Sequence, residues 1–121
     1  MLILGLVVAG VIGAPTRYLV DSYVIARTQS RLPFGTFVVN VSGSFILGGL
    51  TGLVLYHAFP ATPKTILGTG FCGAYTTFST FAYESVRLAE DHSPAAAVRV
   101  VLASLIVPAA AAAAGLALAS F

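Results

Sequence analysis

The stretch Gly70-Phe71-Cys72-Gly73-Ala74-Tyr75-Thr76-Thr77-Phe78-Ser79-Thr80-Phe81 places glycines and hydroxyls in the middle of a segment otherwise apolar enough to cross a bilayer. Backbone polar groups in hydrocarbon must be hydrogen-bonded, so an interrupted helix persists there only where protein buries it or where it lines a polar cavity. The stretch is therefore the first candidate for an ion or substrate site. It also sets the expected fold class, an all-α integral membrane protein whose third helix is broken near its middle.

Working outward, the composition agrees with this class. Of 121 residues, 58% are hydrophobic and 8% charged, which leaves too little polar surface for a soluble globule. A helix needs about 20 residues to cross the hydrocarbon core. Spans are predicted over 2–20, 34–56, 65–86 and 95–118, together forming a single four-helix transmembrane domain over 1–121. All four are apolar on nearly every face, as suits helices that touch both lipid and protein.

The connections are short. Arg27 to Pro33, His57 to Lys64 and Ala89 to Pro94 hold half of the charged residues and most of the prolines, and leave no room for a soluble domain. Ser93-Pro94 reads as a helix start, with serine as cap and proline at the first helical position. Pro108 lies inside the fourth span, and the run Ala109 to Ala114 suits close helix packing. No basic residue precedes the first apolar run, so a cleaved signal peptide is not expected. The single cysteine, Cys72, excludes an intrachain disulfide and a cysteine metal cluster. A net charge of +2, thinly spread, does not suggest nucleic acid.

Arg27, Arg31, Arg87 and Arg99 fall at or near one face of the four spans and Lys64 at the other, a modest bias towards a cytoplasmic location for the arginines. Insertion in both orientations is compatible with so weak a bias. Four helices scarcely enclose a polar pathway alone, so an oligomer, most simply a two-fold dimer, is expected. Ser44, Gly48 and Gly52 repeat every four residues, the spacing that lets helix backbones approach closely, either within one subunit or between two.

Two signatures, Gly35-Thr36-Phe37-Val38-Val39-Asn40-Val41-Ser42-Gly43-Ser44-Phe45 and the Gly70 to Phe81 stretch, resemble those of the Fluc (CrcB) fluoride channel family. Gly10, Gly13, Ala14, Arg17 and Tyr18 are similar to its first-helix pattern, and the likeness covers nearly the whole chain. The resemblance implies an antiparallel dual-topology dimer in the cell membrane. It implies two narrow fluoride pathways along the subunit interface and a structural sodium ion at its centre. It also implies passive export of fluoride, which enters cells as the neutral acid and dissociates inside.

The residues are chemically suited to this. Fluoride is small and strongly hydrated, so a selective pore must replace its water with donors. Asn40 supplies an amide NH2, and Thr77, Ser79 and Thr80 supply hydroxyls. Phe78 and Phe81, three apart on one helical face, resemble the family's paired pore phenylalanines. Their electropositive ring edges can face an anion without gripping it, although packing alone would also account for two aromatics. By resemblance the backbone carbonyls of Gly73 and Thr76 hold the sodium, an unwound helix being a known source of such ligands and Gly73 suiting the backbone shape. A glycine hinge with no ion is the plainer alternative.

Asn40 could instead bond helix to helix, and its Asn-Val-Ser context cannot be glycosylated within a span. Arg17 and Glu84 are ionisable groups near or within spans, hence accessory candidates. Arg17 could pair with Asp21 four residues on, and Glu84 could be an interfacial solvated carboxylate. The fourth helix departs from the family pattern. It offers only Ser104 where many members carry a tyrosine and serines, which keeps open a heterodimer with a related chain.

Gly68 to Gly73 matches a dinucleotide fingerprint letter for letter, but no strand precedes it, and no Ser, His and carboxylate set is placed for catalysis. A small multidrug-type proton antiporter is the main rival. It would need a glutamate within the first helix and aromatics including tryptophan, and the chain has no Trp.

Overall fold

The computed structural model describes residues 1–29 and 32–121, and Arg31 lies outside them. The described residues form helices α1 (Leu2–Thr28) and α2 (Phe34–His57), then α3 (Ala61–Thr65), a π-helical segment Ile66–Cys72, α4 (Gly73–Tyr75), α5 (Ser79–Asp91) and α6 (Pro94–Ala119). Three of these, α1, α2 and α6, are long and apolar enough to cross a membrane. Hydrocarbon-compatible sequence has only the helix to satisfy its backbone, which is why these three run without a break.

The first helix runs eight residues beyond the predicted end, because Asp21 and Ser22 do not stop it. Its Cα path ends at Gln29, whose φ of 48° and ψ of 36° turn the chain while its N–H closes on the Ile25 carbonyl. Ala58 ends α2 in the same left-handed geometry, at φ 53° and ψ 33°. Helix α6 begins at Pro94, and the Ser93 hydroxyl accepts from the Ala96 N–H at 3.3 Å, the cap expected from the sequence.

The most extensive packing joins α2 to α6. A Cβ on Gly48 would run into the Ala112 carbonyl, and one on Gly52 would meet the Ala119 Cβ at 2.5 Å. From the other side, a Cβ on Gly115 would strike the Phe45 carbonyl and the Gly49 nitrogen. The glycines of the Ser44 stripe therefore serve contact within the chain, and the alanine run of α6 is their counterpart. His57 joins the two helices again at their far ends, its Nε2 lying 2.6 Å from the Ala119 carbonyl.

Helix α1 covers the π-helical segment in the same backbone-close manner. Gly13 faces the Phe71 carbonyl, where a Cβ would sit at 2.5 Å, and Gly70 faces Ala9 and Leu6. Few large side chains are buried by these contacts. Val39, at 0% exposed, is the one fully buried large side chain among the described residues, while apolar residues such as Val11, Leu19 and Ile106 are more than half exposed. Such a surface is suited to lipid and to partner helices rather than to water.

Candidate functional site

Around Thr76 the chain leaves helical geometry. Gly73 is still helical, at φ −63° and ψ −37°, whereas Thr76 is extended, at φ −80° and ψ 161°, and α5 starts only at Ser79. No described glycine has a positive φ, so the conformational freedom expected of Gly73 is not used. What Gly73 contributes is space, since a Cβ there would meet nothing nearer than the Gly68 carbonyl at 4.0 Å.

Asn40 meets the chain where it leaves helical geometry. Its Nδ2 donates to the Thr77 carbonyl at 2.9 Å and its Oδ1 accepts from the Thr77 N–H at 2.9 Å, so one amide side chain replaces both backbone partners of Thr77. The next candidate donor, the Thr80 N–H, goes to the Thr77 hydroxyl at 3.2 Å, which starts α5. Both N–H groups that would close a helix over the Gly73 and Thr76 carbonyls are thus diverted, and those two carbonyls are left without helical partners. The Thr76 N–H and hydroxyl both turn back to the Cys72 carbonyl, at 2.9 and 2.7 Å.

A second clamp holds the residue before this point. The Tyr75 ring stacks on Phe71 with centroids 5.5 Å apart and planes 14° from parallel, and its hydroxyl lies 2.9 Å from the Ser42 hydroxyl on α2. Sequence reading missed both Ser42 and Tyr75. A tyrosine among apolar residues gave no sign of a partner 33 residues away.

Asn40, Gly43, Ser44 and Leu47 share one face of α2, and that face lines an open groove of about 540 Å³. Across from it lie Gly73, Thr76, Thr77, Phe78 and Phe81, with Ser104 and Pro108 of α6. The two phenylalanines meet edge to face, with centroids 5.6 Å apart and planes at 66°. Phe81 is 7% exposed and anchored, whereas Phe78 is 73% exposed and projects from the chain. The hydroxyls of Ser44 and Ser104 are not engaged by any partner among the described residues. Ser44, read from sequence as part of a packing stripe, is therefore a donor on the groove wall.

The remaining candidates are engaged locally or lie elsewhere. The Thr77 hydroxyl is occupied locally, donating to the Thr80 hydroxyl at 3.1 Å. Ser79 is exposed at the start of α5, beyond the groove lining, and its hydroxyl lies 3.5 Å from that of Thr77. Thr80 and Arg17 line a separate cavity of about 150 Å³ with Asp21 and Thr36. Arg17 and Asp21 do not form the pair that their spacing suggests, since Arg87 with Asp91, at 3.1 Å, is the sole ion pair among the described residues. Asp21 is instead packed against Gly35, its Oδ1 buried without a hydrogen-bond partner. The Glu84 carboxylate accepts the Thr36 hydroxyl and borders a third cavity, of about 380 Å³, with Tyr83 and Arg87. The carboxylate that the sequence offered either as an accessory group or as a solvated interfacial one is thus tied to α2.

A family described as "CrcB-like protein, Camphor Resistance (CrcB)" matches residues 4–116. Among curated proteins, the chain is 45% identical over 120 residues to "Fluoride-specific ion channel FluC 1" of Frankia casuarinae, covering 94% of this chain and 93% of that one. It is 45% identical over 97 residues to the protein of that name in Leifsonia xyli subsp. xyli, covering 80% and 71%. To "Fluoride-specific ion channel FluC 2" of Mycobacterium tuberculosis (strain H37Rv) it is 41% identical over 109 residues, covering 90% and 83%.

Proposed function

Since the chain belongs to the CrcB family, we propose that it is a fluoride-specific ion channel, a multi-pass membrane protein that lets cytoplasmic fluoride leave passively and so limits its toxicity. It is a channel rather than an enzyme. The observation that carries the proposal is the Asn40 groove. Asn40 has two N–H donors, and one is used on the Thr77 carbonyl, which leaves the other for an anion already held in a fixed orientation. The Ser44 and Ser104 hydroxyls add uncommitted donors, and the Phe78 and Phe81 edges add weak electropositive contact. Donors that are neutral and few can replace the hydration of a small anion without trapping it, which conduction requires.

A groove open along one side cannot exclude water or larger anions, so the functional unit is a dimer in which a second copy closes it. Opposite insertion of the two copies is compatible with the weak arginine bias of the sequence. In that assembly residues 65–86 act as one interrupted span. The exposed Phe78 reaches the neighbouring subunit, and Thr77, Ser79 and Thr80 border the anion path rather than bind at its centre.

A structural sodium ion fits the residues present. The Gly73 and Thr76 carbonyls are the two that Asn40 and the Thr77 hydroxyl strip of helical partners, and hard oxygen donors of this kind suit a small hard cation. When bound, the ion would supply the positive charge towards which the Gly73 and Thr76 carbonyl dipoles point. A related partner chain remains the second reading, favoured by the apolar α6, where Val100 and Pro108 flank Ser104.

The test is fluoride efflux from liposomes holding only the purified chain, followed with a fluoride electrode after addition of a potassium ionophore, with chloride-loaded vesicles as control. Rapid fluoride release without chloride release supports a selective homodimer. Silence from folded protein points to an obligatory partner, and equal release of both anions removes the selectivity.

A further inference from the structure

Of the described residues lining the Asn40 groove, Lys64 alone carries a charge. It stands in the last turn of the short helix α3, and the groove wall continues from it through Gly68, Thr69, Cys72 and Gly73 to Thr76 and Thr77. Twelve residues of helical rise separate Lys64 from Thr76, on the order of 18 Å, so the ammonium lies at a mouth of the groove and not beside Asn40. Lys64 is half-buried. No carboxylate compensates it among the described residues, where the one ion pair is Arg87 with Asp91 at 3.1 Å. An uncompensated cation in a low-dielectric cleft focuses its field along the cleft.

We propose that Lys64 is an anion-collecting residue, raising the concentration of small inorganic anions at this mouth before any of them meets the selective donors deeper in. It acts through charge alone and so does not distinguish fluoride from chloride. The inference rests on the Asn40 groove being the fluoride path.

The test compares wild type, Lys64→Gln and Lys64→Arg by initial fluoride efflux from phosphatidylcholine vesicles, at ionic strengths of about 0.01 M and about 1 M. The Debye length is roughly 30 Å at the first and 3 Å at the second, so charge collection operates only at the first. Lys64→Gln should be slower by about two- to threefold at low ionic strength, the effect of a unit charge acting about 8 Å away through water. It should match wild type at high ionic strength, Lys64→Arg should behave as wild type throughout, and the fluoride-to-chloride ratio should not change. Wild type alone should also slow as salt rises, which keeps the test decisive if Lys64→Gln misfolds. Equal rates at low ionic strength, or a deficit that persists at 1 M, would overturn the proposal while leaving the channel intact. Absence of fluoride flux in wild type would instead remove the homodimeric channel reading, and this inference with it.

Discussion

Tyr75→Phe isolates one bond in the clamp that precedes Thr76. The substitution keeps the ring and its stack on Phe71 at 5.5 Å, and removes only the hydroxyl that lies 2.9 Å from Ser42. Ser42 keeps its bond to the Val38 carbonyl at 2.8 Å, so no buried polar group is orphaned on α2. The loss is therefore that of the bond itself, about 0.5–1.5 kcal/mol. Within membranes such bonds average nearer 0.6 kcal/mol, which sets the lower part of that range. Cys72 reports the consequence. It is the only cysteine, is 2% exposed, and its carbonyl holds the Thr76 N–H at 2.9 Å, so its thiol is reached only when this region opens locally. Labelling of Cys72 by a maleimide in detergent should quicken roughly two- to tenfold in Tyr75→Phe. Ser42→Ala should do the same, and the double variant should be no faster than either single one, as a shared bond demands. A wild-type labelling rate in Tyr75→Phe, or additive effects in the double variant, would refute the clamp.

Asn40→Asp preserves shape but sets a carboxylate oxygen against the Thr77 carbonyl and a negative charge beside the anion path. At an effective dielectric of about 20 a like charge near 4 Å costs on the order of 4 kcal/mol, so fluoride efflux should fall by at least about a hundredfold; flux within tenfold of wild type would show that Asn40 does not face the ion. Phe81→Ile keeps an apolar side chain in a site only 7% exposed but removes the ring edge that meets Phe78, and efflux should drop about three- to tenfold. Unchanged flux would return both rings to simple packing. Gly48→Val forces α2 away from the Ala112 carbonyl and should cost about 1–3 kcal/mol, read as a lowered melting temperature in detergent; an unaltered melt would contradict the close α2 to α6 contact.

The sequence made the apolar helices legible because hydrocarbon leaves the backbone few alternatives, and helix α6 even begins at its readable Ser93-Pro94 signal. It misplaced the end of α1. Asp21 looks like a solvated boundary, yet the helix continues to Thr28 and Asp21 packs on Gly35, a contact that only the α1 to α2 pairing creates. It pointed to Gly73 as the special backbone position, whereas the departure is at Thr76. The deciding interaction there is the Asn40 grip on Thr77, made across 37 residues and invisible to local pattern. The same holds for the small-residue stripe. Spacing alone could not assign Gly48 and Gly52 to a partner within the chain or outside it, and the Ala112, Leu116 and Ala119 contacts do. Arg17 and Asp21 show the converse, a helical spacing that permits an ion pair which the surroundings do not form.

The most direct test of the central claim is the reversal potential of the purified chain in a planar bilayer, with fluoride on one side and chloride on the other at equal concentration. A fluoride-selective pathway should give no reversal within the measurable range, the current remaining carried by fluoride alone. A reversal near zero, reporting equal passage of both anions, would contradict the assignment of the Asn40 groove as a fluoride filter.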